Sequence, residues 1–179
     1  TLKLQPRLMA PMASKAPKVD GNITEPFWKA IPPARFVESS QAVEPKYPTQ
    51  VRAAWDSENL YLAFRGFEKG QETWREGTKK RDDTAIFKGD SVEIFIQPTG
   101  MSPGYFQFAV NPVGGLWDTR WDRPRQRQNW NGQGIRLAGQ VRPDDWSIEV
   151  AIPFKTLGQK PPQQGSEWRV NFCRTEVPN

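Results

Sequence analysis

The chain has 179 residues, a formal charge of +5, a single cysteine and no histidine. That length suits one domain whose core needs no disulfide or metal staple. Cys173 alone excludes an internal disulfide and a cysteine zinc cage, and the lack of histidine removes Ser-His-Asp and Cys-His catalysis together with the commonest transition-metal ligand.

Residues 1–17 carry Pro6, Pro11 and Pro17 with little periodicity and read as an extended lead-in, lying on the body or hanging free, to a domain over 18–179. No apolar run is long enough to span a bilayer, and the lead-in lacks the apolar centre of a signal peptide. A chain that begins at Thr1 is expected to have lost upstream sequence, either a signal or a neighbouring part of a longer polypeptide.

Thr24 is placed to cap one short helical turn through Trp28 and Ala30, with Pro26 in its first turn and Pro32-Pro33 ending it. Strand signals follow. Residues 49–55 and 60–67 flank the turn-rich Asp56-Ser57-Glu58-Asn59, which predicts a hairpin. Residues 68–83 are polar and charged apart from Trp74 and read as a long loop with room for a helical turn.

Two alternating strands come next, Asp90-Ser91-Val92-Glu93-Ile94-Phe95-Ile96 and Tyr105-Phe106-Gln107-Phe108-Ala109-Val110-Asn111. Successive side chains of a strand point to opposite faces, so Val92, Ile94, Phe108 and Val110 are predicted to be buried while Glu93, Phe95, Tyr105, Gln107 and Asn111 project from the other side. Such a face is either the wet side of an ordinary antiparallel sheet or a polar and aromatic surface suited to hydroxyl-rich ligands. Leu116-Trp117-Asp118 adds a strand, a loop runs to Trp130, and strands at 135–141, 146–152 and 168–172 complete the set, with a turn at 153–158. About nine or ten short strands predict an all-β fold, an antiparallel β-sandwich of jelly-roll or immunoglobulin-like two-sheet architecture. Without βαβ alternation, GxGxxG or a phosphate loop, a nucleotide-binding fold is disfavoured.

Arg120, Arg123, Arg125 and Arg127 fall in one segment with Trp117, Trp121 and Trp130 and with Asp118 and Asp122. The segment is either a solvated loop or a basic patch for acidic sugars, an acidic protein surface or nucleic acid. Guanidinium pairs bidentately with carboxylates and tryptophan stacks on rings, so a uronate would suit it, with a preference that weakens as salt is added. The same mixture could stack single-stranded bases, although the modest net charge disfavours nucleic acid.

In order, Val19-Asp20-Gly21, Glu25, Trp28 and Ala30, Ala54-Trp55-Asp56 with Asn59-Leu60-Tyr61-Leu62-Ala63-Phe64, the 90–96 strand, Gln107-Phe108-Ala109-Val110-Asn111 with Gly114 and Asp118, and Trp146-Ser147-Ile148-Glu149-Val150-Ala151-Ile152-Pro153-Phe154 with Leu157-Gly158 resemble the family 9 carbohydrate-binding modules over residues 18–173. The resemblance implies a β-sandwich without catalytic activity, secreted or periplasmic, usually bacterial, accompanying polysaccharide-degrading domains and binding the ends of sugar chains. It implies a site in which two tryptophans sandwich a pyranose ring. Phe87 stands at the first of these positions, the second would lie past Asn179, and an expected arginine is replaced by Ala109, whereas Glu93, Gln107 and Asn111 match. Trp28, Trp55, Trp146 and Trp168 occupy the family's recurrent packing positions.

The candidate carbohydrate site is therefore Glu93, Gln107 and Asn111 for hydroxyls, Phe87 and Trp74 for apolar contact, and Trp121, Arg120 and Arg123 from the basic segment. No cofactor is expected. Calcium, which family members sometimes hold, would be structural, with Asp56, Asp82, Asp83, Asp90, Asp118 and Asp122 as available oxygen donors, although no EF-hand spacing is present. The expected partner is a polysaccharide or oligosaccharide, with an attached or associated enzyme brought to it. The alternative is a structural or protein-interaction domain of the same fold with a degenerate sugar site. Similar sandwiches that bind haem form a third class, but Met101 is the one methionine past the lead-in and axial ligation would be hard to furnish.

Overall fold

Alternation along the strands sorts the chain into two five-stranded antiparallel sheets. The structure is a computed structural model that describes residues 7–37, 43, 45–68 and 77–175. In chain order the elements are helix α1 (Pro26–Lys29), β1 (Ala34–Arg35), β2 (Thr49–Trp55), β3 (Asn59–Phe67), a 3-10 helix (Thr84–Lys88), β4 (Ser91–Gln97), β5 (Tyr105–Val110), β6 (Leu116–Arg123), β7 (Gln126–Gln128), β8 (Arg136–Val141), β9 (Asp145–Pro153) and β10 (Arg169–Thr175). The first sheet has the order β1-β2-β3-β9-β8 and the second β10-β4-β5-β6-β7. The predicted β-sandwich is the observed fold, and β2 and β3 form the predicted hairpin.

Between the sheets lies one core. Val51, Leu62, Phe64, Ile148 and Val150 meet Val92, Ile94, Ile96, Phe106, Phe108 and Val110. All four residues predicted to be buried in β4 and β5 are fully so. Trp146 lies over Gly66, where an added Cβ would stand 2.2 Å from the indole, so only glycine lets this ring seat. Trp130, placed by sequence in a polar loop, instead closes the core edge with its ring 4.9 Å from that of Phe106.

The outer face of the first sheet is closed. Ala54, Tyr61, Ala63 and Ala151 present small or flat surfaces, and Ile23, Trp28 and Ile31 pack on them. Pro26 in the first turn starts α1 and the helix is only four residues long, so its packing, anchored by buried Trp28, holds it in place rather than its intrinsic helicity. Residues 7–13 also lie on the body: Trp55 N donates to Pro11 O, Ala13 N to Trp55 O, and Trp55 Nε1 to Ala10 O.

The second sheet is covered at one end, where Ile86 and Phe87 of the 3-10 helix pack on Ala109 and Trp117. Asp83 caps that helix by accepting from Ala85 N. Among the described residues nothing covers the rest of its outer face. One expectation is corrected here: the segment after Asp118 is not a loop, because β6 continues to Arg123 and folds back into β7, with Trp121 opposite Arg127. The residues are polar because the sheet end is wet, so backbone pairing persists without the apolar alternation that would announce it.

Candidate functional site

Directly opposed residues of an antiparallel pair share a face. On the open face of the second sheet this register lays out three rows. Cys173, Glu93, Ala109 and Trp117 form the first, and Asn171, Phe95, Gln107 and Thr119 the second. Arg169 with Gln97, and Tyr105 with Trp121 and Arg127, form the third.

Hydrogen bonds link the rows. Gln107 Nε2 donates to Glu93 Oε2 at 2.7 Å, and Trp121 Nε1 donates to Gln107 Oε1 at 2.9 Å. A carboxylate, an amide and an indole are thus joined across β4, β5 and β6, which fixes the Trp121 ring before any ligand arrives. Tyr105 lies nearly parallel to Trp121, with centroids 5.9 Å apart and planes at 18°, and Phe95 stands 6.1 Å from Tyr105. Beside them is a shallow, open hollow of about 320 Å³ lined by Phe95, Gln97, Tyr105, Arg169, Val170 and Asn171. Glu93 is the one carboxylate in the three rows, so they do not contain the paired carboxylates that glycoside hydrolysis uses.

The structure brings Glu93, Gln107 and Trp121 together, and the other predicted residues that it describes lie elsewhere. Asn111 lies on the outer side but is fully buried: its Nδ2 donates to Thr78 O and its Oδ1 accepts from Gly115 N, so its amide closes the β5–β6 turn beneath residues 77–78. Phe87 meets Trp117 edge-on at 5.1 Å and helps cover Ala109. The position where the resemblance places an arginine is therefore filled with apolar packing. Arg120 has the opposite parity to Trp121, pairs with Asp122 at 3.0 Å and lines a separate hollow at the end of the sandwich with Phe106 and Leu157. Arg123 is exposed where β6 turns toward β7. Trp74 lies outside the described residues. Phe95, Tyr105, Arg127, Arg169 and Asn171 join the face without having been named as site residues. For Phe95 and Tyr105 strand alternation already carried the signal, and for Arg169 and Asn171 their alternation with Val170 and Phe172 carried it.

The aspartates named from the sequence have protein partners. Asp118 is buried, and burial pushes its carboxyl above the ordinary aspartate range against the opposing pull of Gly132 N–H and Arg81. The Arg81 guanidinium contacts Asp118, Asn131 and the Gly132 carbonyl and lies 3.5 Å from Asp82, so its own charge sits among these oxygens. Asp56 binds the Tyr61 hydroxyl and two turn amides, and Asp83 caps the 3-10 helix. Among the described residues no three His, Cys, Asp or Glu side chains converge on a metal position.

Cys173 reports on this face. Desolvation by its neighbours, then the Glu93 carboxylate opposite it, push the thiol above its ordinary range. The thiolate is the reactive form, so the pH midpoint for alkylation by iodoacetamide is expected above that of free cysteine and should fall in Glu93→Gln. An identical midpoint in both proteins would separate Cys173 from Glu93.

The family described as carbohydrate family 9 binding domain-like matches residues 19–172. Endo-1,4-beta-xylanase A of Thermotoga neapolitana is 28% identical over 169 residues, which covers 90% of this chain and 14% of the xylanase. An "Extracellular protein" of Arthroderma benhamiae is 25% identical over 163 residues, covering 83% of this chain and 71% of that protein. A carbohydrate binding module family 9 from Caldicellulosiruptor kristjanssonii, solved in complex with glucose, has the same fold, with a TM-score of 0.69 at 15% identity over 94% of this chain and 78% of its own. A second structure from that organism's family 9 modules holds cellotriose, again with a TM-score of 0.69 at 15% identity, covering 94% of this chain and 77% of its own.

Proposed function

Since the chain belongs to the carbohydrate family 9 binding domain-like family, we propose that it is a non-catalytic carbohydrate-binding domain whose ligand lies on the open face of the β10-β4-β5-β6-β7 sheet. The observation that carries this reading is the hydrogen-bonded series Glu93, Gln107 and Trp121 beside the rings of Tyr105 and Phe95. Aromatic rings accept the apolar faces of a sugar, and Glu93 and Gln107 retain hydrogen-bonding capacity for its hydroxyls. Because the Trp121 ring is already fixed, less side-chain freedom is lost on binding.

Cellotriose and glucose occupy the solved structures of similar fold, and a xylanase contains a similar stretch. These support an oligosaccharide ligand and a role in holding an attached or associated enzyme at a polysaccharide. The similarity to a protein named extracellular supports secretion. A single sugar unit offers little area, so Kd is expected on the order of micromolar to millimolar.

Glu93→Ala removes a charged acceptor from the face and is expected to weaken binding by about 1.5 to 3 kcal/mol. Isothermal titration with cellotriose and xylo-oligosaccharides measures it, and unchanged affinity in a folded variant would move the site away from Glu93. A second reading, a protein-interaction domain with a degenerate sugar site, is favoured by the apolar filling of Ile86, Phe87 and Trp117 over Ala109. It predicts no binding to any glycan in the same titrations.

A further inference from the structure

We infer that this face selects glycans bearing carboxylates, uronate-containing polysaccharides in particular; the inference rests on the carbohydrate-binding reading above and names its ligand class. The third row is its basis. Arg169 stands beside Gln97, and Tyr105 beside Trp121 and Arg127, so one line of side chains crosses all five strands of the sheet. Gln97 Nε2 donates to Gly104 O, which ties β4 to the start of β5 and makes the line continuous. Four inter-strand spacings of about 4.8 Å make it roughly 19 Å long, enough for several sugar units. Two near-parallel rings occupy its middle, Arg169 stands at one end, and at the other Arg127 turns its guanidinium back along β6 over Thr119 and Trp117.

Both end charges are available. Arg169 is exposed, lines the hollow beside Tyr105, and its side chain has no hydrogen bond or ion pair among the described residues. Arg127 donates from its Nε to Thr119 Oγ1 and lies 5.0 Å from the Trp117 ring, so its position is fixed, while among the described residues its terminal amines meet no carboxylate. By contrast, Arg81 pairs with buried Asp118 and Arg174 with buried Glu68, and Arg65 and Arg142 share buried Asp145. A planar carboxylate is the natural bidentate partner for a guanidinium, and rings between the two cations suit the sugar faces between charged units.

Glu93 sets the polarity of the face. It lies four residues from Gln97 along β4, about 13 Å away, and is held by Gln107. Uronate groups are repelled at Glu93 and drawn to Arg169 and to Arg127, whose guanidinium lies over Trp117 two strands from Glu93, while a neutral hydroxyl is accepted at Glu93. A nucleic acid, with a charge on every unit, would meet the same repulsion at closer spacing.

The test is titration of the intact chain with oligogalacturonates and with neutral xylo-oligosaccharides of equal length, at about 0.01 and 0.15 M salt, where the Debye length is about 30 and 8 Å. At low salt the acidic chains are expected to bind at least about tenfold more tightly, and the ratio should shrink at the higher salt. Arg127→Gln combined with Arg169→Gln should bring the ratio close to one. Arg169→Gln alone, at an exposed position that does not support the fold, should lower it about threefold and guards against misfolding of the double variant. Equal affinity for neutral chains, or an acidic preference that survives both variants, overturns the inference and leaves the carbohydrate reading standing. Binding to neither set overturns both, and single-stranded DNA bound more tightly than oligogalacturonate overturns the choice of ligand class.

Discussion

Glu149→Ala is expected to cost about 3 kcal/mol of folding stability, the largest effect of any single truncation away from the main core. Glu149 is 1% exposed on the outer side of β9. One oxygen accepts from Trp28 Nε1 at 2.6 Å, and the other from Gly21 N at 2.7 Å and Asp20 N at 3.0 Å. The carboxylate therefore anchors both α1 and the chain entering it to the first sheet. Gly21 has φ of +83°, and an added Cβ would stand 2.8 Å from the Gly139 carbonyl carbon, so the backbone is delivered to Glu149 in a conformation and at a distance that favour glycine. Removing the acceptor leaves two fully buried donors unpaired at about 1 to 3 kcal/mol each, offset in part because a buried charge disappears.

The sign of the pH dependence follows from the same burial. Desolvation pushes the Glu149 carboxyl above its ordinary value of 4.5, against the pull of Trp28, Asp20 and Gly21. A folded-state pKa above the unfolded one means that the group contributes most below the unfolded pKa and loses that contribution as pH rises through the folded pKa. The stability gap between wild type and Glu149→Ala should therefore narrow from pH 4 toward neutrality. Urea unfolding at several pH values measures it; a gap under about 1 kcal/mol at pH 4 would contradict the anchoring role.

Much of this architecture was legible in the chain because period-two alternation is a local property. Val92, Ile94, Phe108 and Val110 could be assigned to the core, and Glu93 and Gln107 to the opposite face, from the sequence alone. Asn111 had the correct parity too, yet residues 77–78 fold over it and take its amide, which alternation cannot foresee. Trp121 could be named as a ring among arginines, but its place beside Gln107 depends on β6 continuing through a polar stretch. Arg169 had its side of the sheet in the alternation with Val170 and Phe172, but its place in the row beside Gln97, 72 positions earlier in the chain, is a register no local pattern encodes. Phe87 matched by position the ring of a sugar clamp and instead packs against Trp117.

The central claim is that the ligand lies on the open face around Trp121. Truncating a fixed aromatic anchor at the middle of a binding surface costs about 2 kcal/mol or more, roughly thirtyfold in Kd. Trp121 is half-buried near the end of β6, so its removal should leave the thermal midpoint within a few degrees of wild type. The direct measurement is isothermal titration of wild type and Trp121→Ala with the oligosaccharide that wild type binds most tightly, alongside the melting curve of each. Loss of about thirtyfold or more in affinity with the fold intact is the predicted result; wild-type affinity in the folded variant would contradict the account.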